Sequence, residues 1–164
     1  MLAIPRLDLP NGCEKEDTWR MTVTAIAAVL GGKRTLRRSV TTSAELQLIT
    51  REGLPVATLP MLAEELAVER TKLAQVVGIS ERTLSRRLGG QARLSAEESD
   101  RTVRLARMFA MTADVLGSSK KASLWLKAKN RALDGQRPLD LLDTDTGART
   151  VETVLGRIAY GLYS

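Results

Sequence analysis

Histidine is missing from this 164-residue chain, and with it go the general bases, proton shuttles and metal ligands that imidazole most often supplies. Ser/His/Asp and Cys/His nucleophilic systems are excluded by that one absence. Cysteine occurs once, as Cys13, so no internal disulfide can form and a reducing compartment, the cytoplasm, is expected. Aromatic residues make up only 3%, too few for the sugar-stacking platforms that would accompany a pair of glycosidase carboxylates. Long apolar runs are scarce as well. The most membrane-like stretch, 21–30, is shorter than the about 20 residues a bilayer span needs, and Glu14, Glu16 and Asp17 stand where a signal peptide would be basic. The expectations are therefore no enzyme, no cofactor, no metal centre and no membrane span.

What the chain does have is 43% hydrophobic residues and a net charge of +6. The first is enough for one compact core, or for two small lobes sharing one; the second favours an acidic partner such as nucleic acid without deciding it. Apolar residues recur at helical spacing, with no β alternation and no internal repeat. The fold class that follows is all-α, a compact multi-helix bundle with a helix-turn-helix lobe and a small C-terminal helical lobe.

Residues 1–17 carry Pro5, Pro10 and Asn11-Gly12 without periodicity and read as a tail. Trp19, Val23, Ile26, Ala27 and Leu30 mark a first helix ended by Gly31-Gly32. The basic segment Lys33, Arg34, Arg37 and Arg38 reads as a solvated linker, with phosphate contact as the alternative. Ser43 is the expected cap of a helix running to Gly53, and Met61, Leu62, Leu66 and Ala67 the buried stripe of the next. Ser95-Ala96-Glu97-Glu98 is a capping box that should open a long central helix closed by Gly117. A helix around 122–127 follows, with Trp125 expected in the core, then a turn-rich stretch over 130–147 and a final helix. Asp140, Asp143 and Asp145 lack the glycine placement of a calcium loop, and Asp143-Thr144 reads as a cap.

Residues 72–88 have the layout of a helix-turn-helix. Ala74 is small where two helices cross, Gly78 permits the left-handed residue that ends the first, Ile79 plugs the core, and Ser80 caps the second helix, which Leu84 and Leu88 seat. Arg82, Ser85 and Arg86 then share the opposite face. Arg82, Arg86, Arg87 and Arg93 have only Glu81 as a local counter-charge, and arginine grips phosphate or the guanine edge bidentately. The candidate DNA-contacting residues are Ser80, Arg82, Thr83, Ser85, Arg86 and Arg87. A helical hairpin with a solvated arginine face is the bland alternative. Paired units match half-sites a helical turn apart, so a homodimer is expected.

With these residues in place, the sequence resembles the Xre/MbcA/ParS antitoxins of RES-domain toxins. The likeness runs from about Ser43 to the last residue: Arg51-Glu52-Gly53-Leu54-Pro55, the helix-turn-helix, 94–101, Lys121-Ala122 with Trp125-Leu126, 132–144, Gly147-Ala148, Val151-Glu152, 155–158 and Tyr160-Gly161. One departure is Lys129, which precedes Asn130 where members commonly have proline. The resemblance divides the chain into 1–43 (N-terminal tail and helix), 44–107 (Xre-like helix-turn-helix domain) and 108–164 (toxin-binding domain). It implies a type II antitoxin that represses its own operon at operator DNA and caps the active site of an NAD-consuming RES toxin encoded by the neighbouring gene.

In the final helix Val151, Val154, Leu155, Ile158 and Leu162 form one stripe, while Arg157, Tyr160 and Tyr163 face elsewhere. Tyrosine and arginine are enriched among interface hot spots. Together with the resemblance this makes Arg157, Tyr160, Tyr163 and Ser164 the candidate toxin-binding residues, the Ser164 carboxylate being expected to meet a toxin arginine. The competing reading is a transcription regulator whose C-terminal lobe dimerises or binds a small ligand.

Overall fold

The computed structural model describes residues 23–161. Within them every regular element is helical, and the one extended pairing is an isolated antiparallel bridge between Pro55 and Arg93. Expectations resting on Cys13, Trp19, Leu162, Tyr163 and Ser164 lie outside the described residues.

Helix α1, 23–29, buries Val23, Ile26 and Ala27 at the anticipated spacing. It stops at Gly31, which is left-handed, but Gly32 already opens a second helix, α2, Gly32–Leu36. The basic segment is thus no bare linker. Leu36 and Val40 are buried and pin it to the bundle, and Arg38 pairs with Glu52 at 2.8 Å.

Helix α3 spans Ser43–Glu52, and its cap is Thr42, not Ser43. A capping box needs a carboxylate at the third helical position. Glu45 stands there for Thr42, whereas Leu46 would stand there for Ser43. The Glu45 carboxylate accepts from Thr41 N at 2.7 Å and Thr42 N at 3.0 Å. Helix α4, Thr58–Leu66, buries Leu59, Leu62, Ala63 and Leu66. That is a full i, i+3, i+4, i+7 stripe, so Met61 is turned outward and Ala67 serves as the left-handed C-cap rather than core.

Helices α5 (Arg70–Val77) and α6 (Glu81–Leu88) precede the long α7 (Ala96–Leu116), which opens on the Ser95/Glu98 capping box and closes at left-handed Gly117 as its sequence signals. Helix α8 (Ser119–Lys127), a 3-10 turn at Arg131–Leu133, α9 (Pro138–Leu141) and α10 (Asp145–Ala159) complete the order. The stretch after α8 is less loose than its composition implies. Asn130 caps the 3-10 turn through Ala132 N at 2.9 Å, Pro138 starts α9, and Thr144 caps α10 through Gly147 N at 3.1 Å.

Helix α7 is the shared beam of the bundle. It packs against α3, α4, α5, α8 and α10, and Leu105, Met108 and Phe109 are fully enclosed. A helix covered on so many sides must also bury polar positions. Ser99 accepts from Leu54 N at 2.8 Å, and Thr102 and Thr112 donate to carbonyls one turn back, so none of these hydroxyls is left unpaired at the about 1–3 kcal/mol that would cost. The expected boundary between 107 and 108 falls inside this helix. No helix among the described residues is long and apolar enough to cross a membrane.

Candidate functional site

The turn between α5 and α6 fixes how α6 is presented. Gly78 sits at φ 89°, and its N–H, with that of Ile79, returns to the last carbonyls of α5, Ile79 N reaching Ala74 O at 2.8 Å. A side chain at 78 would be strained and would collide with Arg101 Nη1, the group that donates to Val77 O at 3.1 Å. Ala74 and Ile79 are buried, as the motif requires. Ser80 Oγ accepts from Thr83 N at 3.2 Å and donates to Thr83 Oγ1 at 2.9 Å. Ser80 and Thr83 are therefore tied up in the cap at the foot of α6, where they hold the helix.

Leu84 is buried on the inner side of α6. At 3.6 residues per turn, Arg82, Ser85 and Arg86 fall within about 100° of arc roughly opposite it, and all three are exposed. Arg87 does not join them. It lies about 60° round the helix from Leu84, on the flank that meets α7, and its Nη1 donates to Glu98 Oε2 at 2.6 Å. The same oxygen accepts from Ser95 N at 2.7 Å. Partial burial pushes the Glu98 carboxyl up, but the bonds from Ser95 and Arg87 outweigh it and hold the group below the usual carboxylate range. Arg93 is likewise engaged, donating to Gly53 O at 2.7 Å.

The C-terminal surface is built on α10. Val151, Val154 and Leu155 are buried and Ile158 is packed against them. Arg157 and Tyr160 are about 60° apart on the opposite side; both are exposed, Tyr160 at 82%. Tyr163 and Ser164 lie beyond the described residues, so Arg157 and Tyr160 are the members of that set whose positions can be given. Trp125 is half-buried and packs against the core, while its neighbour Leu124 is 60% exposed. Asp140 and Asp145 do not converge: the first pairs with Lys72 at 3.1 Å, the second with Arg149 at 2.9 Å. Among the described residues no cluster of acids and cysteine has metal-holding geometry.

Several residues that position these surfaces carry no sequence signal of their own. Lys127 Nζ donates to Ala67 O at 2.9 Å and Ser123 Oγ to Leu66 O at 2.6 Å, closing the end of α4. Gly147 lies so close to the Leu141 carbonyl that a Cβ there would overlap it, which seats α10 on α9. Arg101, Arg104 and Arg107, a turn apart or nearly so on α7, each tie a carboxylate: Glu97, Asp100 and Glu152.

Two family profiles match the chain. Residues 45–107 match the antitoxin Xre-like helix-turn-helix domain, and residues 111–161 match the antitoxin Xre/MbcA/ParS C-terminal toxin-binding domain. Among curated relatives, the antitoxin Xre of Photorhabdus laumondii is 33% identical over 120 residues, covering 73% of this chain and 81% of its own. The antitoxin Xre of Pseudomonas putida is 31% identical over 121 residues, with 73% and 75% covered. A Sphingobium protein named Prs ADP-ribosylating antitoxin is 25% identical over 125 residues, with 71% and 79% covered. The two profiles meet within α7, the helix both lobes share.

Proposed function

Since the chain belongs to the Xre/MbcA/ParS antitoxin family, we propose that it represses its own operon by docking α6 on operator DNA and neutralises a partner toxin through its C-terminal lobe. The observation that carries the proposal is the outward triad Arg82, Ser85 and Arg86 on a helix that is capped, seated and free on that face. Guanidinium groups so placed meet phosphate oxygens and base edges when the helix enters a major groove. A single such helix binds weakly, so two copies of the chain act as a homodimer on paired half-sites.

On the toxin side, Arg157 and Tyr160 with the following Tyr163 and Ser164 form the contact. The partner is an NAD-consuming RES-type toxin from the neighbouring gene, held inactive in the cytoplasm by a lobe laid over its active-site cleft. The name of the Sphingobium relative speaks of ADP-ribosylation, a chemistry that takes its group from NAD, and this favours an NAD-consuming partner. The role needs no catalysis by this chain.

A regulator whose C-terminal lobe holds a small ligand would want a cleft lined by apolar groups. A cavity of about 370 Å3 between α4 and α8 has Ala67 and Leu124 on its walls together with Glu64, Glu65, Lys120 and Lys127, so four charged groups surround the apolar surface such a ligand would use. Co-expression with the adjacent open reading frame is the test. Growth rescue, a co-purifying complex and binding to the duplex upstream of the gene are expected; a chain that rescues nothing and ignores that duplex ends the proposal.

A further inference from the structure

Beyond the C-terminal end of α6 the surface turns basic a second time. A cavity of about 280 Å3 lies between α2 and the turn that follows α6, with Arg34, Arg37, Gln91 and Arg93 on its walls and Pro55 and Leu88 among its apolar lining. Three of its lining residues are arginines and none is an acid. The base is rigid: Val56 N bonds Ala92 O at 3.0 Å and Leu94 N bonds Leu54 O at 2.8 Å, which fixes the Pro55–Arg93 bridge. Each wall is also held. Arg93 is anchored by Gly53 O, and Arg37 Nη2 donates to Gln91 Oε1 at 2.8 Å, tying α2 to the turn after α6. Arg34 is exposed, and among the described residues neither it nor its exposed neighbour Lys33 has an ion-pair partner.

Like charges are gathered here without a counter-charge, at a cost in repulsion that a bound anion would offset. Because each anchoring bond uses one edge of a planar guanidinium with five donors, the remaining N–H groups stay available to an oxyanion. Leu88 lies about 9 Å along the α6 axis from Arg82 and about 120° round it, so the cavity opens at the C-terminal end of α6, to the side of its basic face. Duplex DNA carries about one charge per 1.7 Å of axis, and a surface extended in that direction meets the backbone flanking the groove.

We propose that Arg34, Arg37 and Arg93 form a phosphate clamp for the DNA backbone beside the groove that α6 reads. It rests on the reading of α6 as the DNA-binding helix. Residues 34 and 37 precede the stretches matched by either family profile, whereas Arg93 lies within the helix-turn-helix match, so the clamp joins the chain's own N-terminal segment to the matched domain. The clamp supplies affinity and register without sequence preference, since phosphates are the same at every step.

The experiment compares the full chain with Arg34→Ala/Arg37→Ala and Arg34→Lys/Arg37→Lys variants. Binding is titrated against the duplex upstream of the gene and a scrambled duplex of equal length, each over a range of salt. Every phosphate that is no longer neutralised lowers the slope of log K against log salt by about 0.9. The alanine variant should lose about one to two slope units on both duplexes by the same factor, with the ratio between duplexes preserved. The lysine variant should restore the slope, since the charges return. Circular dichroism and thermal melting check that the alanine variant remains folded. If the wild-type chain binds and the alanine variant keeps its slope, the clamp alone is wrong; if the wild-type chain binds neither duplex, the reading of α6 falls and takes the clamp with it.

Discussion

Arg86 and Arg87 are adjacent in sequence and face different surroundings. One is exposed on the outer side of α6, the other is held against Glu98 across the α6–α7 junction. Removing Arg87 strands a carboxylate whose side chain is 17% exposed, and loss of a bond to a charged group costs about 1.5–3 kcal/mol. Arg87→Ala should therefore lower the melting temperature while leaving the salt slope of DNA binding unchanged. Arg82→Ala/Arg86→Ala should do the opposite, keeping stability within about 0.5 kcal/mol and reducing the slope by up to about two units. Thermal denaturation and salt-dependent titration of both variants check this; a slope loss in Arg87→Ala as large as in the double variant would refute the division. Helical spacing is enough to find Arg82, Ser85 and Arg86, because Leu84 sets the inner face. It is not enough to take Arg87 out of the set, because its partner comes from another helix. Ser80 and Thr83 serve the cap of α6, because a hydroxyl at a helix start bonds the nearest free N–H first.

At the scale of the element, caps decide where helices begin. The Ser95/Glu98 box is legible because all its chemistry lies within four residues, and Thr42 gives way to Ser43 only when the reciprocal carboxylate is not counted back from Glu45. Helix α2 is not legible: five residues with one buried side chain, Leu36, leave no period to find. Glu98 carries more than its own helix, since one oxygen serves both the cap and Arg87. Its depressed folded-state pKa means that the protein gains stability from this group above the unfolded carboxylate pKa, about 4.3, and loses it as pH falls through the lower folded value. Glu98→Gln should be less stable than wild type at neutral pH by about 1.5–3 kcal/mol, and the gap should narrow below about pH 4. Denaturant melts at both pH values give the measurement; a gap independent of pH would show that the carboxylate charge is not what matters.

The whole molecule is organised by α7, which reaches both surfaces. Toward α5 and α6 it offers Glu98 to Arg87 and Arg101 to Val77 O; toward α10 it offers Arg107 to Glu152, at 2.7 Å. The all-helical class and this central helix are legible from the period of the apolar residues, which is a local property. That two lobes hang on one beam is less so, because a break in profile or composition near 107 says nothing about a break in the chain's path. A shared rigid helix could link the two surfaces or merely space them apart. Arg157 and Tyr160 decide between these, since both are exposed and neither is among the buried residues of α10. Arg157→Ala/Tyr160→Ala should leave melting and DNA affinity near wild type, while hot-spot losses of about 2 kcal/mol each, roughly 30-fold per residue at 1.4 kcal/mol per decade, weaken the toxin complex. Co-expression growth rescue and pull-down read the toxin side, and duplex titration reads the other. Rescue at wild-type levels would remove α10 from the toxin contact, and a matching loss of DNA affinity in a protein that still melts normally would mean that α7 transmits between the surfaces and that they are not independent sites.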